Sequence, residues 1–413
     1  MSRDSPQPRS SLRRQYALVT GNYWAFTLTD GALRMLVVLH FHQLGYGPLQ
    51  IALLFLFYEI FGVVTNLVGG WLGARIGLNR TMNIGLGLQI AALAMLAVPG
   101  AWLTVAWVMA AQALSGVAKD LNKMSAKSSV KLLVPDGAQG TLYRWVAMLT
   151  GSKNALKGAG FFLGGVLLTA LTFRGAVLAM AAALALVWLS SLVWLKRDLG
   201  KAKAKPKFRD IVSKSRAVNV LSAARLCLFG ARDVWFVVAL PVYLATALGW
   251  PHWQVGAFLA AWVIGYGLVQ AIAPRVTGLG TGTLPDGRTA FVWALLLAVV
   301  PAALAVLLVR GVSPQGVLVV GLTAFGVLFA INSSLHSYLI VSYASEEGVS
   351  LDVGFYYMAN ALGRLLGTVL SGWIYQVSGL AACLGVSAVL IALAALASIA
   401  LPRHGLHADT SGR

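Results

Sequence analysis

Gly70-Trp71-Leu72-Gly73-Ala74-Arg75-Ile76-Gly77-Leu78-Asn79-Arg80 joins an apolar run over 49–74 to another over 81–99. Its glycines allow a tight turn and a close approach of the flanking segments. Each run is long enough to cross a hydrocarbon core ~30 Å thick as a helix. Arg75 and Arg80 place the turn on the cytoplasmic side, because short loops rich in Lys and Arg stay inside.

The rest of the 413-residue chain repeats this design. It is 58% hydrophobic and 11% charged, with a mean hydropathy of +0.77, more apolar surface than a soluble protein could hide. A net charge of +19 would suggest nucleic acid in a soluble protein. Here the cations gather in short polar segments between apolar spans, so they read as membrane orientation, and no nucleic-acid partner is expected. Cys227 and Cys383 lie in apolar segments without a CxxC or Cys/His cluster. No metal site, disulfide framework, cofactor or catalytic set is therefore expected.

A window of about 19 residues predicts twelve spans: 17–43, 49–74, 81–99, 101–121, 141–170, 174–195, 218–247, 252–276, 289–309, 314–341, 350–376 and 379–401. Between them, basic and uncharged turns alternate. Basic segments are the tail over 1–16, the Arg75/Arg80 turn, the Lys-rich 119–144 and the linker 196–217; the turns at 44–48, Pro99-Gly100 and Trp250 carry no Lys or Arg. This rhythm puts both termini, including the tail over 402–413, in the cytoplasm. The linker divides an N-terminal half over 17–195 from a C-terminal half over 218–401.

An internal repeat supports that division. Gly45-Tyr46 and Leu49-Gln50-Ile51 recur 204 residues later as Gly249-Trp250 and Trp253-Gln254-Val255, and Asn154-Ala155-Leu156 recurs as Asn360-Ala361-Leu362. The 70–80 stretch resembles the signature of the major facilitator superfamily, Gly-x-Leu-Ala-Asp-Arg-x-Gly-Arg, with Ala74 where the aspartate stands. The resemblance implies an all-α membrane protein of twelve transmembrane helices in two pseudo-symmetric six-helix halves. Parallel halves of this kind hold their substrate near mid-membrane. Gly160-Phe161-Phe162-Leu163-Gly164-Gly165 resembles the Gly-Pro-x-x-Gly-Gly motif of drug/proton antiporters, with Phe161 in place of the proline; packing through small residues explains it equally well.

Charges inside the spans point to function. Arg34, Lys153, Lys157, Arg232 and Arg364 each lie well within an apolar stretch. A cation at mid-membrane costs about 2.5–3.5 kcal/mol if it faces lipid, so these face one another, acids or water. Asp30 and Arg34 share a helical face. They read either as a self-neutralising pair or as an oxyanion-binding arginine that Asp30 holds when the site is empty. Arg232 is followed by Asp233, and a guanidinium from each half suits a phosphate or carboxylate. Lys153 and Lys157 repel on one face unless an anion lies between them; alternatively span 5 starts later and both snorkel. Arg225, nearer a span end, reads as snorkelling. Glu59 reads as the partner of a cation or as a proton carrier. Lys119, Lys123, Lys127 and Lys131, spaced by four, read as a positive-inside loop or as a cationic funnel at the inner mouth. Cations outnumber Asp30, Glu59 and Asp233, which favours an anionic substrate.

Four runs carry a closer resemblance: Asn22-Tyr23-Trp24-Ala25-Phe26-Thr27-Leu28-Thr29-Asp30-Gly31-Ala32-Leu33-Arg34, Lys119-Asp120-Leu121-Asn122-Lys123-Met124-Ser125-Ala126-Lys127, Gly151-Ser152-Lys153-Asn154-Ala155-Leu156-Lys157-Gly158 and Phe229-Gly230-Ala231-Arg232-Asp233-Val234-Trp235. Over nearly its whole length the chain resembles the ArsJ family of organoarsenical efflux permeases. That resemblance implies export of 1-arseno-3-phosphoglycerate from the cytosol across a bacterial inner membrane. It also implies a functional link to a glyceraldehyde-3-phosphate dehydrogenase, which makes the ester. A monomer in contact with membrane lipid is expected. A transporter of another small organophosphate or carboxylate is the rival reading, and a membrane enzyme would need a nucleophile or metal set that the spans do not show.

Overall fold

The computed structural model describes residues 9–45, 54–135, 137–195, 199–200, 215–278, 284–346 and 348–403. Among them the chain is helical throughout: α1 (Arg9–Gln43), α2 (Leu56–Ile76), α3 (Leu78–Leu96), α4 (Val105–Leu133), α5 (Gln139–Ala170), α6 (Phe173–Trp194), α7 (Arg216–Phe236), α8 (Ala239–Thr246), α9 (His252–Thr277), α10 (Gly287–Val309), α11 (Pro314–Tyr343) and α12 (Val349–Ser398). The expected spans correspond to α1–α6, to α7 and α8 together, to α9–α11, and to the two parts of α12. Gly379, at φ +75°, separates those parts at 349–378 and 380–398.

Local chemistry sets these boundaries. Thr104, Thr172 and Ser215 cap α4, α6 and α7 by accepting from Trp107 N, Gly175 N and Val218 N. Asp286 and Thr289 form a capping box at the start of α10. Pro241 removes an amide and crowds the carbonyl four residues back, which breaks the seventh span between α7 and α8. The Ala239 amide freed there donates to Ser371 Oγ at 3.1 Å. The turn inside the opening motif narrows to Gly77, at φ +101°, a conformation that favours glycine. Ala74, in the aspartate's place, is buried.

Among the described residues, six stretches are long and apolar enough to cross a membrane by length and composition: Phe173–Trp194, Arg216–Thr246, Ala257–Thr277, Gly287–Val309, Pro314–Tyr343 and Val349–Ser398. Helices α1, α4 and α5, which carry internal charges, are not among them. Leu186, Val193, Val309 and Val320 are each more than two-thirds exposed, as lipid-facing side chains are in a multi-pass membrane protein.

Two compact units are present. The first comprises 1–145, 156–212 and 344–355; the second comprises 146–155, 213–343 and 356–413. Each unit thus includes one short segment, 344–355 or 146–155, from the other side of the linker. In the first unit, Leu33, Leu36, Phe41, Leu93, Val108 and Val177 form a core. Glycines let its helices touch: a Cβ on Gly160 would lie 2.5 Å from Leu28 O, and one on Gly31 2.7 Å from Lys157 O. The Gly160–Gly165 motif is therefore a packing surface between α1 and α5, while Phe162 points outward at 77% exposure. The second unit centres on aromatic side chains, with Trp235 edge-on to both Trp262 and Phe325.

Some boundaries shift. The fourth span, expected over 101–121, runs to Leu133, so the Lys-rich segment is helix and not loop. The second begins at Leu56; residues 49–53, with most of the first repeat element (Tyr46, Leu49, Gln50, Ile51), lie outside the described residues. So does most of the linker, including 201–214. The surviving repeat elements match in conformation: Gly45 and Gly249 both take positive φ, at 87° and 67°.

Candidate functional site

Each unit holds its own charged cluster. In the first, Tyr58 on α2 is the hub and is 1% exposed. Its hydroxyl donates to Asp30 Oδ1 at 2.7 Å. The Arg34 guanidinium lies over its ring at 4.3 Å and Lys119 Nζ at 3.8 Å. Each such cation–ring contact is worth about 0.5–2 kcal/mol, more as water is excluded. Arg34 Nη2 reaches Glu59 Oε1 at 2.8 Å. The ion partner of Arg34 in this geometry is therefore Glu59 from the neighbouring helix, and Asp30 answers to the tyrosine instead. Tyr58 was not singled out from sequence; its position beside an intramembrane glutamate was the available signal.

The lysine stripe on α4 also differs from an open funnel. Asp120, 2% exposed, takes Lys123 at 2.5 Å and Lys119 at 3.8 Å. Lys127 is 3% exposed, and Lys131 Nζ donates to Ala344 O at 2.5 Å. Lys119, Lys123, Lys127 and Lys131, expected as a cationic funnel, form a column here in which Lys127 is buried and the other three are half-buried. Lys119 on this face of α4 lies over the Tyr58 ring of α2, and an acid embedded among the lysines pairs with two of them. The i,i+3 spacing of Asp120 and Lys123 was legible in the sequence.

Lys153 and Lys157 lie ~21 and ~27 Å along α5 from its first residue at a rise of about 1.5 Å per residue, and the helix starts no later than expected. Both are half-buried. Lys153 belongs to the second unit and Lys157 to the first, and Lys157 Nζ lies 5.8 Å from the Phe161 ring.

The second unit gathers three arginines. Arg232 Nε and Nη2 both lie 2.5 Å from Asp233 Oδ1. Arg364 Nε, from α12, donates to Asp233 Oδ2 at 3.3 Å. Asp233 is fully buried, whereas Arg364 is 38% exposed. Arg364 thus has an acidic partner after all, one that sequence distance concealed. Phe229 lies between two guanidinium groups, with Arg225 at 3.9 Å and Arg232 at 5.0 Å from its ring. The expectation that Arg225 snorkels is corrected: it is 3% exposed. Its Nε donates to Asn360 Oδ1 at 2.9 Å, and its Nη1 reaches Ser333 O and Oγ. A buried hydrogen-bonding partner on another helix overrode its place near a span end. Among the described residues this unit has only two carboxylates, Asp233 and the α10 cap Asp286.

Each of the two asparagines of the internal repeat hydrogen-bonds to a side chain on another helix. Asn154 Nδ2 donates to Gln270 Oε1 at 2.8 Å, and Asn360 accepts from Arg225. Chemically, both clusters offer cations and hydrogen-bond donors in apolar surroundings, the arrangement that recognises oxyanions.

Comparisons with known proteins agree on the architecture. The human organic anion transporter MFSD10 (TETRAN) superposes with a TM-score of 0.74 at 17% identity, covering 95% of this chain and 100% of that one. A bacterial homologue of the iron transporter ferroportin, in its outward-facing state, gives 0.74 at 15% identity over 94% and 98%. The Escherichia coli fucose:proton symporter FucP gives 0.72 at 12% over 94% and 98%. At these identities the likeness is one of fold. A search of curated proteins returns no match. The Major Facilitator Superfamily profile matches residues 19–279, more than half of the chain, and the chain belongs to that superfamily of membrane transporters.

Proposed function

We propose that this transporter exports 1-arseno-3-phosphoglycerate from the cytosol and so confers arsenate resistance. The observation that carries the anionic part of the reading is the charge balance of the second unit, where Arg232 and Arg364 share the carboxylate of Asp233 and the buried Arg225 has only neutral partners. Arg34, Lys153 and Lys157 supply further cations. The four runs that resemble organoarsenical permeases support the identity of the ester. In this reading Arg34, Arg232, Lys153, Lys157 and Arg364 bind substrate, and Asp30, Glu59 and Asp233 hold the cations between cycles or couple transport to protons. The protein sits in the bacterial inner membrane with both termini in the cytoplasm. An inside-negative potential favours exit of an anion by about 2.3 kcal/mol per charge per 100 mV, so proton antiport is not required. A second reading, export of another small organophosphate or carboxylate, draws on the fold shared with an organic anion transporter.

Uptake into everted vesicles tests the proposal. Arsenate-dependent accumulation is expected only when glyceraldehyde 3-phosphate, its dehydrogenase and NAD are all supplied. Equal uptake of free arsenate alone sinks the ester, and saturable uptake of an organophosphate without arsenate selects the second reading. Arg34→Lys and Arg232→Lys are each expected to abolish transport at unchanged membrane levels; wild-type transport by both reassigns them to structure.

A further inference from the structure

Burial without a counter-ion sets Arg225 apart from the other arginines of its unit. Arg232 and Arg364 contact Asp233, and the unit's other described carboxylate, Asp286, caps α10. Arg225 is held by neutral groups only: the Asn360 amide oxygen, the Ser333 carbonyl and hydroxyl, and the faces of Phe229 and Tyr356. A guanidinium carries five N–H donors in a planar fork, and among the described residues Nη2 of Arg225 makes no hydrogen bond. Neutral partners hold a guanidinium in place but leave its charge uncompensated, a costly state for a buried ion.

A second, independent feature lies beside it. His336 is three residues from Ser333 on α11, hence on the same helical face. It is 0% exposed, and neither Nδ1 nor Nε2 has a hydrogen-bond partner. A fully buried imidazole with both nitrogens unsatisfied thus lies one helical turn from the serine that holds a cation without an anion, and the two side chains offer donors of complementary type. One oxygen of a phosphoryl-type group would accept from the guanidinium, and another would accept from whichever imidazole nitrogen bears hydrogen.

We propose that Arg225 and His336 form an oxyanion-binding position within the second unit, oriented by Asn360 and Ser333, that takes one phosphoryl-type group of the substrate. Arg232, held by Asp233 between cycles, remains one of the substrate-binding cations, and Arg225 adds a positive charge with no carboxylate partner among the described residues. The assignment rests on the anion-export reading and adds Arg225 to the arginines that meet the anion.

Direct binding to the full-length protein in detergent tests it, with inorganic phosphate, glycerol 3-phosphate, glycerate and 3-phosphoglycerate as probes in titration calorimetry. Wild type is expected to bind the phosphorylated probes more tightly than glycerate. Arg225→Gln should weaken the phosphorylated probes at least tenfold and abolish that preference, with Arg225→Lys intermediate and His336→Gln weakened severalfold. A folded Arg225→Gln protein with wild-type affinity and preference overturns the assignment while the export reading stands. If Arg225→Gln does not fold, Arg225→Lys and His336→Gln decide: unchanged affinity in both overturns it. A wild-type protein that binds none of the probes overturns this position together with the anion reading on which it rests.

Discussion

Replacing Asp233 by asparagine removes the one carboxylate that serves two arginines while keeping the side chain's shape. Asp233 is 1% exposed, Arg232 is 15% exposed with its guanidinium 2.5 Å away, and Arg364 is 38% exposed at 3.3 Å. Breaking a buried pair by removing one partner costs about 3–5 kcal/mol, because the other charge is left uncompensated. The exposed Arg364 is screened and adds no more than ~1 kcal/mol. Nearly the whole penalty therefore belongs to Arg232. Against a typical total stability of about 5–15 kcal/mol this is a large loss. The assay is a double-mutant cycle on the purified protein, with stability read from denaturant unfolding in a mild detergent. Asp233→Asn and Arg232→Met are each expected to be strongly destabilising. The double variant should be less destabilised than their sum by about 2–3 kcal/mol, since removing both charges leaves nothing unpaired. A parallel cycle with Arg364→Met should show a coupling below ~1 kcal/mol. Additivity within about 0.5 kcal/mol in the Arg232 cycle would refute the reasoning, because the two groups would then not form a buried pair.

Two further outcomes follow from packing and backbone chemistry. Gly160→Val places a Cβ 2.5 Å from the Leu28 carbonyl, so α1 and α5 must separate and the monodisperse peak on size-exclusion chromatography should be lost; Gly165→Val, whose nearest neighbour is a Leu39 methyl at 4.0 Å, should be tolerated. Ser371→Ala strands the Ala239 amide at the break between α7 and α8 and should cost about 1–3 kcal/mol, seen as a lowered unfolding midpoint that Ser371→Thr largely restores.

Fold and site were legible to different depths. The spans could be read because apolar length across a membrane is a one-dimensional property. The repeat could be read because Gly45 and Gly249 need the same left-handed turn. The break in the seventh span was missed, since 218–247 was expected as one unbroken span, although Pro241 was the signal available for it. The extension of α4 through its lysines was not legible: hydropathy ends a span where charge begins, although a helix continues wherever partners such as Asp120 bury the charge. Among the site candidates, Arg34, Arg232 and Arg364 stood out as cations in apolar runs. Their partners did not. Glu59 is 25 residues from Arg34, and Asp233 is 131 from Arg364.

Composition, hydropathy period and the basic turns by themselves determined that this chain is a polyhelical membrane protein with too many cations inside it, since each depends only on local sequence. Which carboxylate neutralises which cation was decided by tertiary structure alone. A buried ion's state depends on the groups within a few ångströms, and those arrive from other helices. That is why Arg225, unremarkable near a span end, became a buried arginine with no carboxylate partner among the described residues, while Gly70–Arg80, the clearest signal in the sequence, became a one-residue turn between two helices.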